Sequence, residues 1–355
     1  MVLRRSASAL LALACASGLL AFAAAPPSDA DLLKKAQALF SPLPKIMDSR
    51  DNPVTAAKVE LGKMLYYEPR LSKSNVISCN SCHNLATYGV DNLPTSIGHR
   101  WAVGTANSPT TLNSEAQVAQ FWDGRAKDVE EQAKGPILNP KEMGLAHAGV
   151  AVENVASIPE YVALFTKAFP AEKDPVTYDN IARAIGDFER TLTTPGRFDK
   201  YISGDAGALN AKERAGLATF IAAGCSSCHS GALFGGAKFD KFGIFRPYQE
   251  LTGTKRLDTG RFEQTHREDD RFVFKVAQLR NIERTYPYFH DGSVWKLEDA
   301  IRIMGEAQLD KKLSTGEIDA IWAFLKTLTG VVPVEARTLP MLPPGSDTTA
   351  RPDVN

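Results

Sequence analysis

Apolar residues recur at helical spacing along most of the chain and almost nowhere alternate as they would in a strand. Residues 30–40 (Ala-Asp-Leu-Leu-Lys-Lys-Ala-Gln-Ala-Leu-Phe) read as a short amphipathic helix. Pro53 suits the first turn of a second helix through Tyr67, with Val59, Leu61, Met64 and Leu65 as its apolar positions. Glu68-Pro69 stops it. Residues 84–115 are rich in Gly, Pro, Asn and Thr and read as loop. Helical patterning resumes over 127–134, 150–157 and 159–168. The longest regular stripe covers 177–193, where Ile181, Ala184, Ile185, Phe188 and Leu192 share a face. Thr194-Pro195-Gly196 breaks it and marks the expected domain boundary.

The second half repeats the scheme weakly. A helix is expected over 211–223, capped by Asn210 with Glu213 three residues on. Residues 231–272 read as loop. A helix follows over 297–304. Ser314 and Glu317 form a capping box ahead of Ile318, Ile321, Trp322, Phe324, Leu325 and Leu328. After Gly330 the Pro-rich tail is expected to be extended on the surface, or disordered. The fold class is therefore all-α, loop-rich, with little strand. The expected units are 26–195 and 196–335, followed by the tail 336–355.

Composition narrows the setting. The chain has 355 residues, 44% of them hydrophobic, with 41 basic and 41 acidic side chains, so no charge excess points to nucleic acid. Arg4 and Arg5, the apolar run Ala9 to Ala23, and Ala23-Ala24-Ala25 before Pro26 read as a cleaved secretory signal over 1–25. An uncleaved anchor is the alternative, but the apolar run is short for a span. Cys15 has a poor lipoprotein lead-in, and the Arg pair lacks the rest of a folded-export signal. Losing Arg4 and Arg5 with the leader leaves 39 basic against 41 acidic residues. No other stretch could span a membrane, and export in the unfolded state is expected.

Four cysteines remain after the leader, in Cys79-Asn80-Ser81-Cys82-His83 and Cys225-Ser226-Ser227-Cys228-His229. Cys-x-x-Cys-His is the attachment signature of c-type haem. On a short helical turn the two thiols reach one porphyrin edge, and the next His is carried under the iron. Two disulfides or a four-cysteine zinc site are the alternatives. The His after each pair argues against both, and the 143 residues from Cys82 to Cys225 are much longer than usual zinc-ribbon spacing. Each unit is small enough to need the haem as core filler. The proximal ligands are then His83 and His229. For the second iron, Met304 is the distal candidate, against a plain core role on its helix. For the first, His99 and His147 both lie on loops, and either could be a simple surface histidine. A His/Met iron would have a higher potential than a His/His iron, which suggests a one-way electron path.

Longer segments carry a resemblance: Ile77 to Leu85, Tyr88 to Asp91, Gln120-Phe121-Trp122-Asp123-Gly124-Arg125, Glu131 to Pro136, Leu279-Arg280-Asn281, Tyr286 to Gly292 and Ile303-Met304-Gly305-Glu306. Over nearly all of the mature sequence the chain resembles the bacterial dihaem cytochrome c peroxidases. The resemblance implies a low-potential peroxidatic haem on Cys79, Cys82 and His83, with His99 as displaceable distal ligand. It implies a high-potential haem on Cys225, Cys228, His229 and Met304, with Trp122 between the two. Glu142 and Gln132 match the polar residues of the peroxide pocket. Asn107, Thr285 and Pro287 match calcium ligands, the last two through backbone carbonyls. His147 falls back to a loop residue. A periplasmic homodimer is implied, fed by a small cytochrome c or a cupredoxin and reducing hydrogen peroxide. Ala277 departs from the family, which often has Pro there. On residue type alone Glu142 would be a solvated or capping carboxylate and Trp122 core. Two other readings stand beside the peroxidase. One is a dihaem electron carrier without catalysis. The other is a relative that oxidises protein tryptophan, in which a Tyr replaces the distal Met that Met304 supplies here.

Overall fold

The computed structural model describes residues 28–354; the expected leader lies outside them. Helix α1 (Asp29–Leu39) is capped by Ser28, whose hydroxyl oxygen accepts from the Asp31 N–H. Helix α2 (Ala56–Tyr66) begins later than Pro53 suggests. Thr55 is its cap, accepting from the Lys58 N–H at 3.2 Å, and a side-chain cap fixes a helix start better than a preset proline φ. The turn α3 (Cys79–Cys82) carries the first motif. Then come α4 (Val129–Leu138), α5 (Ala148–Ala156), α6 (Pro159–Ala168) and α7 (Tyr178–Arg190). Helix α4 runs past the expected end at 134, through Gly135 and Pro136.

A short α8 (Arg197–Ile202), which the pattern did not announce, opens the second half. Helix α9 (Ala211–Ala223) has the Asn210–Glu213 capping box and ends on Gly224 at φ 100°. The stretch read as loop contains α10 (Tyr248–Thr252), α11 (Phe262–Thr265) and a small antiparallel pair, β1 (Phe239–Lys241) with β2 (Val273–Lys275). Helix α12 (Leu297–Leu309) is a turn longer than its stripe, so Met304 sits inside it. Helix α13 (Thr315–Leu325) starts at the Ser314–Glu317 box, and α14 (Val334–Arg337) precedes the tail. The fold is all-α, with one two-stranded sheet among the described residues.

Two large hydrophobic cores form, beside a small cluster of Leu43, Met47 and Leu233. The first gathers Leu61, Leu65, Phe165, Ile181, Ile185 and Phe188, where α2 crosses α7. The second gathers Phe198, Leu217, Phe220, Phe234, Ile321 and Phe324, where α9 crosses α13. The chain ends are exchanged between them. Leu32, Ala36 and Phe40 belong to the second core, with Phe40 stacked on Phe234 at 4.1 Å. Val332 and Ala336 belong to the first. The tail then runs over the first unit, where Pro343 and Ala350 carbonyls accept from Arg70 and Asn75. Thr194, at the expected boundary, is buried. Its hydroxyl accepts from Asn113 at 2.9 Å and Asn281 at 2.8 Å, so the join between the units is a satisfied polar network.

Candidate active site

Each Cys-x-x-Cys-His turn opens onto its own cavity. Cys79, Cys82 and His83 line a cavity of about 560 Å³. Cys225, Cys228 and His229 line one of about 220 Å³. All four thiols are unbridged. Burial pushes the Cys82 and Cys225 thiols up to about 11, so neither is a ready thiolate ligand or nucleophile. Among the described residues no three His, Cys, Asp or Glu side chains converge on a metal position. Burial also lowers the pKa of both motif histidines, which keeps the imidazoles neutral as iron ligation requires. His229 Nδ1 lies 2.9 Å from the Phe234 carbonyl. Donation there leaves Nε2 for a metal and fixes the ring. These donor sets and cavities fit a covalently held haem in each unit.

The first cavity is polar. Gln132, from α4, and Glu142, from the loop after it, both line it beside His83. Glu142 is held by Asn139, whose Nδ2 donates to its Oε1 at 2.7 Å. Burial raises the Glu142 pKa, against the lowering effects of Arg125 and Asn139. A carboxylate with a raised pKa can both take and give a proton. Arg125 packs over the Phe121 ring at 3.4 Å, and both line this cavity.

His99 is placed differently. Its neighbour Gly98 lines the first cavity, whereas His99 is not among the lining residues. The residue is 5% exposed, its ring lies against Gly144, and both ring nitrogens are buried without a hydrogen-bond partner among the described residues. Its main-chain N–H donates to the Glu142 carbonyl at 2.7 Å. The loop is a tight turn closed by Ile97 and Val103, with Arg100 and Trp101 at φ 57° and 62°. Non-glycine residues held there store strain. Trp101 is 85% exposed at its tip. His147 is an exposed residue at the start of α5.

The second cavity is lined mainly by apolar side chains, with Met304 of α12 on its wall beside Ile301, Ile321 and Leu325. Ala277 also lines it. Trp122, Phe121, Phe274 and the 107–110 segment line both cavities and form the wall between them. Trp122 Nε1 donates to the Asn107 carbonyl at 2.8 Å. Asn107, Thr285 and Pro287 come together on the second cavity. Asn107 Nδ2 donates to the Leu93 carbonyl at 2.9 Å, so its amide oxygen is the end left for a cation. One amide oxygen and two carbonyls suit calcium, with water completing the shell.

Glu189 was missed by the reading of the sequence. It lines the first cavity one helical turn beyond Ile185, is 4% exposed, and burial raises its pKa to about 8. A charge continuing an apolar i, i+4 row was the legible signal.

The sequence profile of the di-haem cytochrome c peroxidases matches residues 56–207. The chain is 52% identical over 300 residues to cytochrome c551 peroxidase of Nitrosomonas europaea, covering 84% of this chain and 87% of that one. It is 47% identical over 338 residues to cytochrome c551 peroxidase of Pseudomonas aeruginosa, covering 94% and 96%. Among solved structures, a MauG-like protein associated with microbial copper homeostasis matches with a TM-score of 0.74 at 27% identity, over 84% of this chain and 97% of that one. Identity near one residue in two, sustained through both cavities, leaves no room for a merely similar fold, and the chain belongs to the di-haem cytochrome c peroxidase family of two-haem oxidoreductases.

Proposed function

We propose that this enzyme reduces hydrogen peroxide to two waters with two protons and two electrons, the electrons coming from a small cytochrome c or a cupredoxin. The observation that carries the division of labour is the contrast in contents: Glu142 and Gln132 stand in the His83 cavity, and Met304 stands in the His229 cavity. The bound haems supply the one-electron chemistry and the iron that takes peroxide. Glu142 moves the proton from the inner to the outer peroxide oxygen, supported by its raised pKa and its anchoring by Asn139. Gln132 orients peroxide and donates to the departing oxygen. Trp122 belongs to both cavity walls and supplies the aromatic bridge for electrons.

His99 serves as the displaceable ligand of the first iron. Two buried, unpartnered ring nitrogens on a strained turn support that role. Met304 ligates the second iron and raises its potential. Calcium binds at Asn107, Thr285 and Pro287 and braces the wall beside Trp122. The mature chain, freed of residues 1–25, works in the periplasm as a homodimer of two haem domains per chain, divided near 195. Among the described residues no helix is long and apolar enough to cross a membrane.

A redox titration of the calcium-loaded holoenzyme, followed by peroxide challenge, tests the proposal. The half-reduced protein should develop a high-spin component and then oxidise reduced cytochrome c only when peroxide is added. Two irons that stay six-coordinate throughout, with no peroxide-dependent turnover, would indicate an electron carrier.

A further inference from the structure

Lys275 is the one lysine or arginine among the described residues lining the second cavity. It lies on β2 and is 6% exposed. Its Nζ donates to the Ala119 carbonyl at 2.7 Å, and its main-chain N–H donates to the Trp122 carbonyl at 2.8 Å. Among the described residues it has no carboxylate within the 4.0 Å of an ion pair. The acid that acts on it, Asp123, is held by Arg125 at 3.0 Å. Burial pulls the Lys275 pKa down to about 7. Neighbouring cations are engaged elsewhere: Arg280 pairs with Asp199 at 2.6 Å, Lys238 with Asp240 at 3.0 Å, and Arg246 with Glu306.

An ammonium buried against one carbonyl dipole is costly unless a counter-charge completes it. A c-type haem in this cavity brings two propionate carboxylates. We propose that Lys275 is the propionate-binding cation of the haem attached at Cys225 and Cys228. Its backbone bond to Trp122 then ties the acidic edge of that haem to the wall between the cavities. The inference rests on the second cavity being a haem site, which two haems per chain by absorbance and wild-type peroxide turnover test separately.

A positive charge fixed in a low-dielectric cavity favours the reduced state of the nearby iron. In the holoenzyme, Lys275→Gln removes the charge and keeps a neutral amide donor on the side chain. The second haem should shift about tenfold toward the oxidised form, a midpoint about 59 mV lower for a one-electron couple. Lys275→Arg should restore the midpoint, and the first haem should move much less. An unchanged second midpoint, an equal shift in both haems, or no rescue by Arg overturns the proposal. A crystal structure of the haem-loaded wild type tests it without relying on any variant. Nζ within 4.0 Å of a propionate oxygen is expected, and a longer separation from both propionates overturns it.

Discussion

The two units are built alike up to the cavity and differ inside it. In each, a helix leads toward the Cys-x-x-Cys-His turn and crosses a second helix at a glycine. A Cβ on Gly62 would lie 1.8 Å from the Ala184 carbonyl oxygen, and one on Gly216 would lie 1.9 Å from that of Ala320. Past that crossing the resemblance ends. The first cavity is more than twice the volume and holds Glu142, Gln132, Glu189 and Arg125. The second is walled mainly by aliphatic and aromatic side chains and Met304, with Asp240, His290 and the single cation Lys275 among its few ionisable groups. One scaffold thus carries two different interiors. Room, water and a titratable carboxylate suit bond breaking. A tight apolar shell around a thioether suits electron passage with little rearrangement.

The largest expected effect would break the contrast from the first side. Glu142→Gln should lower peroxide turnover by about 10²–10⁴-fold with both haems retained. Steady-state oxidation of reduced cytochrome c reads it, and undiminished turnover would remove Glu142 from the chemistry. Across pH, wild-type turnover should rise through a pKa above the ordinary carboxylate range, because the ionised form is the base, and that limb should vanish in the variant. The next effect breaks the contrast from the second side. Met304→His should lower the second midpoint by more than tenfold in equilibrium, about 59 mV, and leave the first haem spectrum alone. Spectroelectrochemistry decides it, and an unmoved second midpoint would mean that Met304 is only core.

The helix crossings come third. Gly62→Ala and Gly216→Ala should each cost about 1–3 kcal/mol, because the backbones must part to admit a methyl group. Thermal melts should show each loss mainly in its own unit; no loss in either would deny the close approach. The last effect, small over any one pH unit, concerns Glu189, whose carboxyl feels Glu115, Glu130 and Arg190. Its carboxyl pKa is raised from 4.5 to about 8, so between those values the folded state holds a proton that the unfolded state has lost. Stability should therefore fall as pH rises through that window, by at most about 1.4 kcal/mol per pH unit. Denaturant titrations of wild type and Glu189→Gln should differ in that slope, and parallel slopes would refute the assignment.

Much of this was legible without coordinates, wherever the information is local. The Cys-x-x-Cys-His spacing determines haem attachment, because both thiols and the imidazole must meet one porphyrin from one turn. Side-chain caps at Asn210 and Ser314 set the starts of α9 and α13. Thr55 shows the limit, since two start signals two residues apart compete and only the formed hydrogen bond decides. What the tertiary structure alone decided are contacts between distant segments. It carried α1 into the second core and the tail onto the first. It paired three-residue strands too short to show alternation. It set Trp122 on both cavity walls, turned Glu189 into one cavity and buried Lys275 beside the other. Helix caps and haem spacing are satisfied within a few residues of chain, whereas a cavity wall is defined only when elements far apart in sequence close on one another.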